Sequence, residues 1–92
     1  MKKIRMHLLI SGRVQMVLLR FNTRRQARKL GVFGWVKNLS DGRVEAVLEG
    51  EESSVLKLVE WAKKGPIFAN VKNIEIYKEE YSGEFVDFNI LY

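Results

Sequence analysis

Along residues 4–11 apolar and polar positions alternate: Ile4, Met6, Leu8 and Ile10 fall on one side, with Arg5, His7, Leu9 and Ser11 on the other. A period of two belongs to a strand with one well-buried face, so the chain opens with a strand. From residue 19 the period changes. Leu19, Thr23, Ala27 and Leu30 recur at steps of four, four and three, Arg24, Arg25, Arg28 and Lys29 take the opposite side, and Gly31 stands where a C-terminal cap belongs. This predicts an amphipathic helix with a basic outer face. "VFGWVKNL" and "RVEAVLEG" are rich in strand formers and are joined by "SDG", whose Asp41-Gly42 suits a hairpin turn. In "EESSVLKLVEWAKKGP" acidic residues lead, Val55, Leu58, Val59 and Ala62 form one stripe, and Lys63, Lys64, Gly65 and Pro66 close the segment. That charge order matches a helix dipole, and the Gly-Pro pair marks its end. "VKNIEIYKEE" and "EFVDFNILY" predict a fourth strand and a short last one, separated by a turn at "YSG".

The order β-α-β-β-α-β describes an α+β, ferredoxin-like sandwich in which two helices cover one face of an antiparallel sheet. No linker, repeat or low-complexity tract interrupts it, so residues 1–92 read as a single domain. In this topology strands one and two run the same way with strand three between them. The loop from Gly12 to Leu19 and the residues around Asn38 therefore emerge at one edge of the sheet.

Composition narrows the chemistry. None of the 92 residues is cysteine, which excludes disulfide frameworks, thiol nucleophiles and cysteine-based metal sites. The net charge of +5 favours anionic partners. The N-terminal "MKKIRMHLLI" is broken by charge and by His7 and is followed by no small-residue cleavage site, so it reads as a strand and the protein as cytoplasmic.

The stretch "GRVQMVLLRFNTRR" carries the most specific signal. A loop entering a helix N-terminus offers unpaired N–H groups and the positive end of a dipole, which together favour an anion. Arg20 adds a planar fork of donors suited to two phosphate oxygens. Asn38, at the adjoining strand end, offers a donor and an acceptor without charge and so could hold a water beside a phosphate without repelling it. Arg24, Arg25, Arg28 and Lys29 read as a solvated helix face that adds long-range attraction. His7 reads as structural or solvent-facing, and Trp35, Trp61, Phe33 and Phe68 as packing residues.

The blocks "GRVQMVLLR", "GWVKNLSDGRVEAVLEG", "EWAKKGP" and "GEFVDFNI" resemble the successive signatures of the acylphosphatase family, small enzymes that hydrolyse the carboxyl-phosphate anhydride. The resemblance implies that Arg20 and Asn38 are the catalytic pair. It also implies a phosphate cradle of Gln15, Met16, Val17, Leu18, Leu19 and Arg20, with Asn38 positioning water for attack at phosphorus. No metal, cofactor or covalent intermediate is expected. The expected partner is a small acyl phosphate or inorganic phosphate, with no nucleic acid and no membrane, and the expected state is a monomer. Two positions depart from the usual family motif: Met16 replaces its second glycine and Leu19 its aromatic. Glycine at position 16 would serve either a positive φ, where a side chain costs ~1–2 kcal/mol, or close approach of backbone to anion. Two other functions fit the pattern less well. One is a weakened domain that binds an anion or partner without turnover. The other is an RNA-binding module, for which "RVEAVLEG" lacks the stacking aromatics.

Overall fold

The computed structural model describes residues 2–92. The elements are β1 (Lys3–Arg13), α1 (Leu19–Leu30), β2 (Phe33–Asn38), β3 (Val44–Glu51), α2 (Glu52–Lys64), β4 (Asn70–Glu79) and β5 (Phe88–Leu91). They form the expected ferredoxin-like arrangement, with spatial strand order β4-β1-β3-β2-β5. Among the described residues no helix is long and apolar enough to cross a membrane.

The alternation in β1 sets the inner face. Ile4, Leu8 and Ile10 are buried with Val44, Ala46 and Leu48 of β3, and the helices close over them with Leu19 and Ala27 from α1 and Val55, Leu58, Val59 and Ala62 from α2. Helix α1 stops at Gly31, where φ is 73° and the amides of the cap reach back to the carbonyls of Ala27 and Arg28, as in a glycine-terminated helix. Phe88 is the largest fully buried side chain, although its strand has only four residues.

Two expectations need correction. The sheet is antiparallel through β4, β1, β3 and β2, but β5 pairs in parallel with β2, which makes it mixed. The segment around Tyr81-Ser82-Gly83 is therefore no hairpin turn: it begins at one edge of the sheet, beside β1, and delivers the chain to the other edge, beside β2. Both β5 and β2 then start from the same end, Phe88 opposite Gly34, so parallel pairing follows from the crossing. Phe68, expected to pack, is 73% exposed in the α2–β4 loop.

Glu49 holds this crossing in place. It is buried on the face away from the helices and accepts hydrogen bonds from Ser82 N and Oγ (both 2.8 Å), Gly83 N (3.0 Å) and Arg5 Nη1 (3.3 Å). Burial opposes its charge, yet these donors hold the carboxyl below its ordinary pKa. Arg5, opposite Glu49 on β3 and Glu79 on β4, also bonds Glu79 at 2.9 Å and lies beneath the Phe85 ring. His7, two residues along, bridges the strands on either side through Nδ1 to Glu79 (2.9 Å) and Nε2 to Glu45 (2.6 Å). Desolvation disfavours the imidazolium, but the bonds to Glu79 and Glu45 outweigh it and raise its pKa.

Glu49→Ala should lower the free energy of unfolding by about 3 kcal/mol in urea titrations, because it leaves Ser82 and Gly83 amides without an acceptor and Arg5 short of a partner. His7 yields a pH signature of definite sign. Its folded pKa lies above the unfolded value of about 6.5, so its contribution is complete below that pH and is lost as pH rises through the folded pKa. Urea stability should fall across that window, and His7→Gln should flatten the fall.

Candidate functional site

The end of β1 is bent by a bulge between Ser11 and Gly12, and the loop that follows runs over the C-terminal edge of the sheet. Gly12 has φ 123°, and a Cβ there would lie 2.1 Å from the Asn70 carbonyl oxygen and 2.7 Å from the Lys72 nitrogen. No other residue fits without moving β4. Beyond the bulge Val14 and Leu19 are buried and Val17 packs on the core. Between these anchors Met16 is fully exposed and Leu18 is 69% exposed. Leu19 thus serves as the apolar plug beneath the loop, in place of an aromatic.

Met16 (φ 59°) and Leu18 (φ 61°) are the two non-glycine residues with positive φ among the described residues. That decides between the two reasons for glycine at position 16: the backbone there is left-handed, and the methionine bears the strain. Leu18, as the α1 N-cap, bears a similar strain that its residue type did not signal. Left-handed residues at 16 and 18 flank Val17, and turns that contain left-handed residues are where anion-binding nests form. Among the described residues no N–H from residues 15–19 donates to another protein group.

The side chain of Gln15 has a part of its own. Its side-chain amide donates to the carbonyls of Leu39 (2.8 Å) and Arg43 (2.9 Å), tying the loop to the β2–β3 hairpin. Arg43 O also receives the Leu39 amide, so one carbonyl fixes both the loop and the turn after Asn38. Arg20 and Asn38 are brought together as expected: both line a cleft of about 390 Å³, with Val14, Met16, Leu18 and Leu19. Asn38 pairs with Val44 through β2, and its Oδ1 is buried with no hydrogen-bond partner. An acceptor left so costs about 1–3 kcal/mol, and a water held in the cleft would satisfy it. The guanidinium of Arg20 lies 5.1 Å from the Tyr92 ring centroid, and Arg20 has no salt bridge among the described residues.

Some of the lining escaped the sequence. Arg24, read as plain helix surface, lines the same cleft, as do Phe21, Ile90 and Tyr92. The spacing of Arg20 and Arg24, one helical turn apart, could have revealed Arg24. Ile90 and Tyr92 could not be found that way, because only the placement of β5 beside β2 brings them there. Arg28, also read as solvated, is engaged elsewhere by a two-pronged pair with Asp87 (2.9 and 3.2 Å). Among the described residues no cluster of three or more His, Asp or Glu side chains is placed to hold a metal ion.

Arg20, without a salt bridge among the described residues, and a loop whose amides have no protein partner there thus line one cleft. The acylphosphatase family profile matches residues 6–90. The chain belongs to the acylphosphatase family. It is 53% identical over 92 residues to an acylphosphatase of Pyrobaculum islandicum, covering 99% of this chain and 97% of that one. Among solved structures it is similar to acylphosphatase from Bacillus subtilis, with TM-score 0.92, 35% identity, and 97% and 99% of the two chains covered. An acylphosphatase from Coxiella burnetii gives TM-score 0.91 and 38% identity, over 97% of this chain and 93% of that one.

Met16→Gly should relieve about 1–2 kcal/mol of backbone strain, offset by the greater freedom of glycine in the unfolded chain, about 0.4–1 kcal/mol. Urea titration should therefore show a gain of about 1 kcal/mol or less, and turnover of acetyl phosphate, whose acyl group is small, should rise by up to about tenfold as the cradle closes better. A clear loss of both would mean that the methionine stabilises the loop.

Proposed function

We propose that this acylphosphatase-family hydrolase cleaves the carboxyl-phosphate bond of small acyl phosphates with Arg20 and Asn38 as its catalytic pair. The amides of Gln15, Met16, Val17, Leu18 and Leu19 and the guanidinium of Arg20 bind the phosphate, and inorganic phosphate competes for the same cradle. Asn38 accepts a hydrogen bond from a water through Oδ1 and so points a lone pair of that water at phosphorus. Attack forms the new phosphorus–oxygen bond as the bond to the bridging oxygen breaks. That oxygen leaves with its electron pair as part of the carboxylate, and the water's protons pass to phosphate and solvent. The acyl oxygen departs as a stable anion, so no strong general acid is required, which suits a cleft furnished with arginine and asparagine.

The observation that carries this reading is the buried, unpartnered Oδ1 of Asn38 in the cleft that Arg20 shares. A turn-forming asparagine would have spent that oxygen on a backbone amide. Charge development on the transferring phosphoryl oxygens is then met by preorganised donors, the largest single contribution in such reactions. We propose further that residues 1–92 act as one monomeric domain in the cytoplasm, in keeping with a sequence without cysteine; sedimentation velocity checks the monomer.

Arg20→Lys should lower kcat/KM by about 10²–10³ and weaken competition by phosphate, because lysine keeps the charge and loses the fork. Asn38→Ala should lower kcat by a similar factor while phosphate still competes, since that side chain serves the water. Circular dichroism should show both variants folded. Near-normal competition by phosphate in Arg20→Lys would remove Arg20 from the cradle, and equal loss of turnover and competition in Asn38→Ala would make Asn38 a structural residue.

A further inference from the structure

One phosphate fills only part of the cleft. Beyond Arg20, Arg24 and Asn38 its walls include Met16, Leu18, Phe21, Ile90 and Tyr92, of which Met16 is fully exposed, Leu18 69% exposed and Phe21 49% exposed. Folding gives no account of the first two. Each strains its backbone at positive φ, where glycine or asparagine would sit more easily, and neither recovers the burial that usually justifies an apolar side chain. Phe21 is backed by the Arg24 guanidinium, which lies over its ring 5.7 Å from the centroid. An exposed apolar group beside a preorganised polar site is the arrangement of a ligand pocket.

We propose that Met16, Leu18 and Phe21 form an apolar lip that receives the acyl group, so that this protein prefers acyl phosphates with alkyl or aryl acyl groups over those with short or polar ones. The inference rests on Arg20 and the loop being the phosphate cradle. Given that, covalent geometry does the rest: the acyl carbon is joined to phosphorus through a single bridging oxygen, so the acyl group must leave the cradle past its rim. There it covers the side chains that the left-handed backbone leaves in solvent. The strain at residues 16 and 18 is then offset in the complex, where a glycine loop would offer the acyl group only backbone.

The test compares kcat/KM for acetyl phosphate and hexanoyl phosphate, which share the anhydride and have nearly equal leaving carboxylates. A methylene fully removed from water favours binding about fourfold, and partial cover of four of them should give hexanoyl phosphate an advantage of about tenfold. The double variant Met16→Asn, Leu18→Asn keeps residues tolerant of positive φ and removes their apolar surface; its advantage should fall to about threefold, the share left to Phe21, whatever the absolute rates. Phe21→Gln, outside the loop, should lower the advantage about threefold and guards against misfolding of the double variant. No advantage in the parent, or one unchanged in the asparagine variant while Arg20→Lys is inactive, would overturn the apolar lip alone. Full activity of Arg20→Lys on both substrates would overturn the cradle and the lip together.

Discussion

The close passage of β4 across the end of β1 is the constraint on which the site depends. At Gly12 the backbone of β4 comes so near that even a methyl group would overlap the Asn70 carbonyl. The chain answers with a glycine and a bulge, and the bulge turns β1 away from its ladder toward the N-terminus of α1. Without that turn the amides of residues 15–19 would continue a strand and spend themselves on a neighbour. With it they are left free at the positive end of a helix. The glycine of the "GRVQ" stretch thus shapes the cleft from a distance, by fixing where the loop begins.

Holding such a loop costs free energy. Two side chains occupy left-handed backbone, at ~1–2 kcal/mol each, and an orphaned acceptor on Asn38 adds to the burden. The offsetting terms are adjacent in sequence: Val14 and Leu19 enter the core, Val17 packs against it, and Gln15 clamps the loop to Leu39 and Arg43. The clamp also couples the two halves of the site. Arg20 is positioned by the helix that the loop begins and Asn38 by the strand whose hairpin Gln15 grips, so the distance between cation and carboxamide is set by side-chain hydrogen bonds rather than by the sheet alone. Unsatisfied polar groups and strain concentrate here, as they do at sites that await a ligand.

The face of the sheet away from the helices is built on other terms. There Glu49, Arg5, His7, Glu45 and Glu79 satisfy one another across three strands, and Glu49 anchors the segment that carries the chain from β4 to β5. Saturated polar pairing makes that face a frame. It matters to the site indirectly, because β5 lies where it does only if the crossing holds, and β5 with the residue after it supplies Ile90 and Tyr92 to the cleft.

How much of this was legible in the sequence depended on the range of the interaction. Period-two alternation in β1, the four-four-three steps of α1 and the Gly31 stop are local, and each could be read because backbone geometry alone converts spacing into a face. The same local logic put Arg20 at a helix start and Asn38 at a strand end, and topology made them neighbours. Met16 could be seen to be anomalous, but only folded backbone showed that φ is positive there, since loop dihedrals answer to anchors at both ends. Leu18 carried no warning at all, leucine being an ordinary residue in most loops. The parallel pairing of β5, the second role of Arg24 and the clamp made by Gln15 were likewise decided by tertiary structure. Each joins residues far apart in the chain, or turns on which way a surface side chain points once its neighbours are in place, and neither pattern nor propensity encodes that.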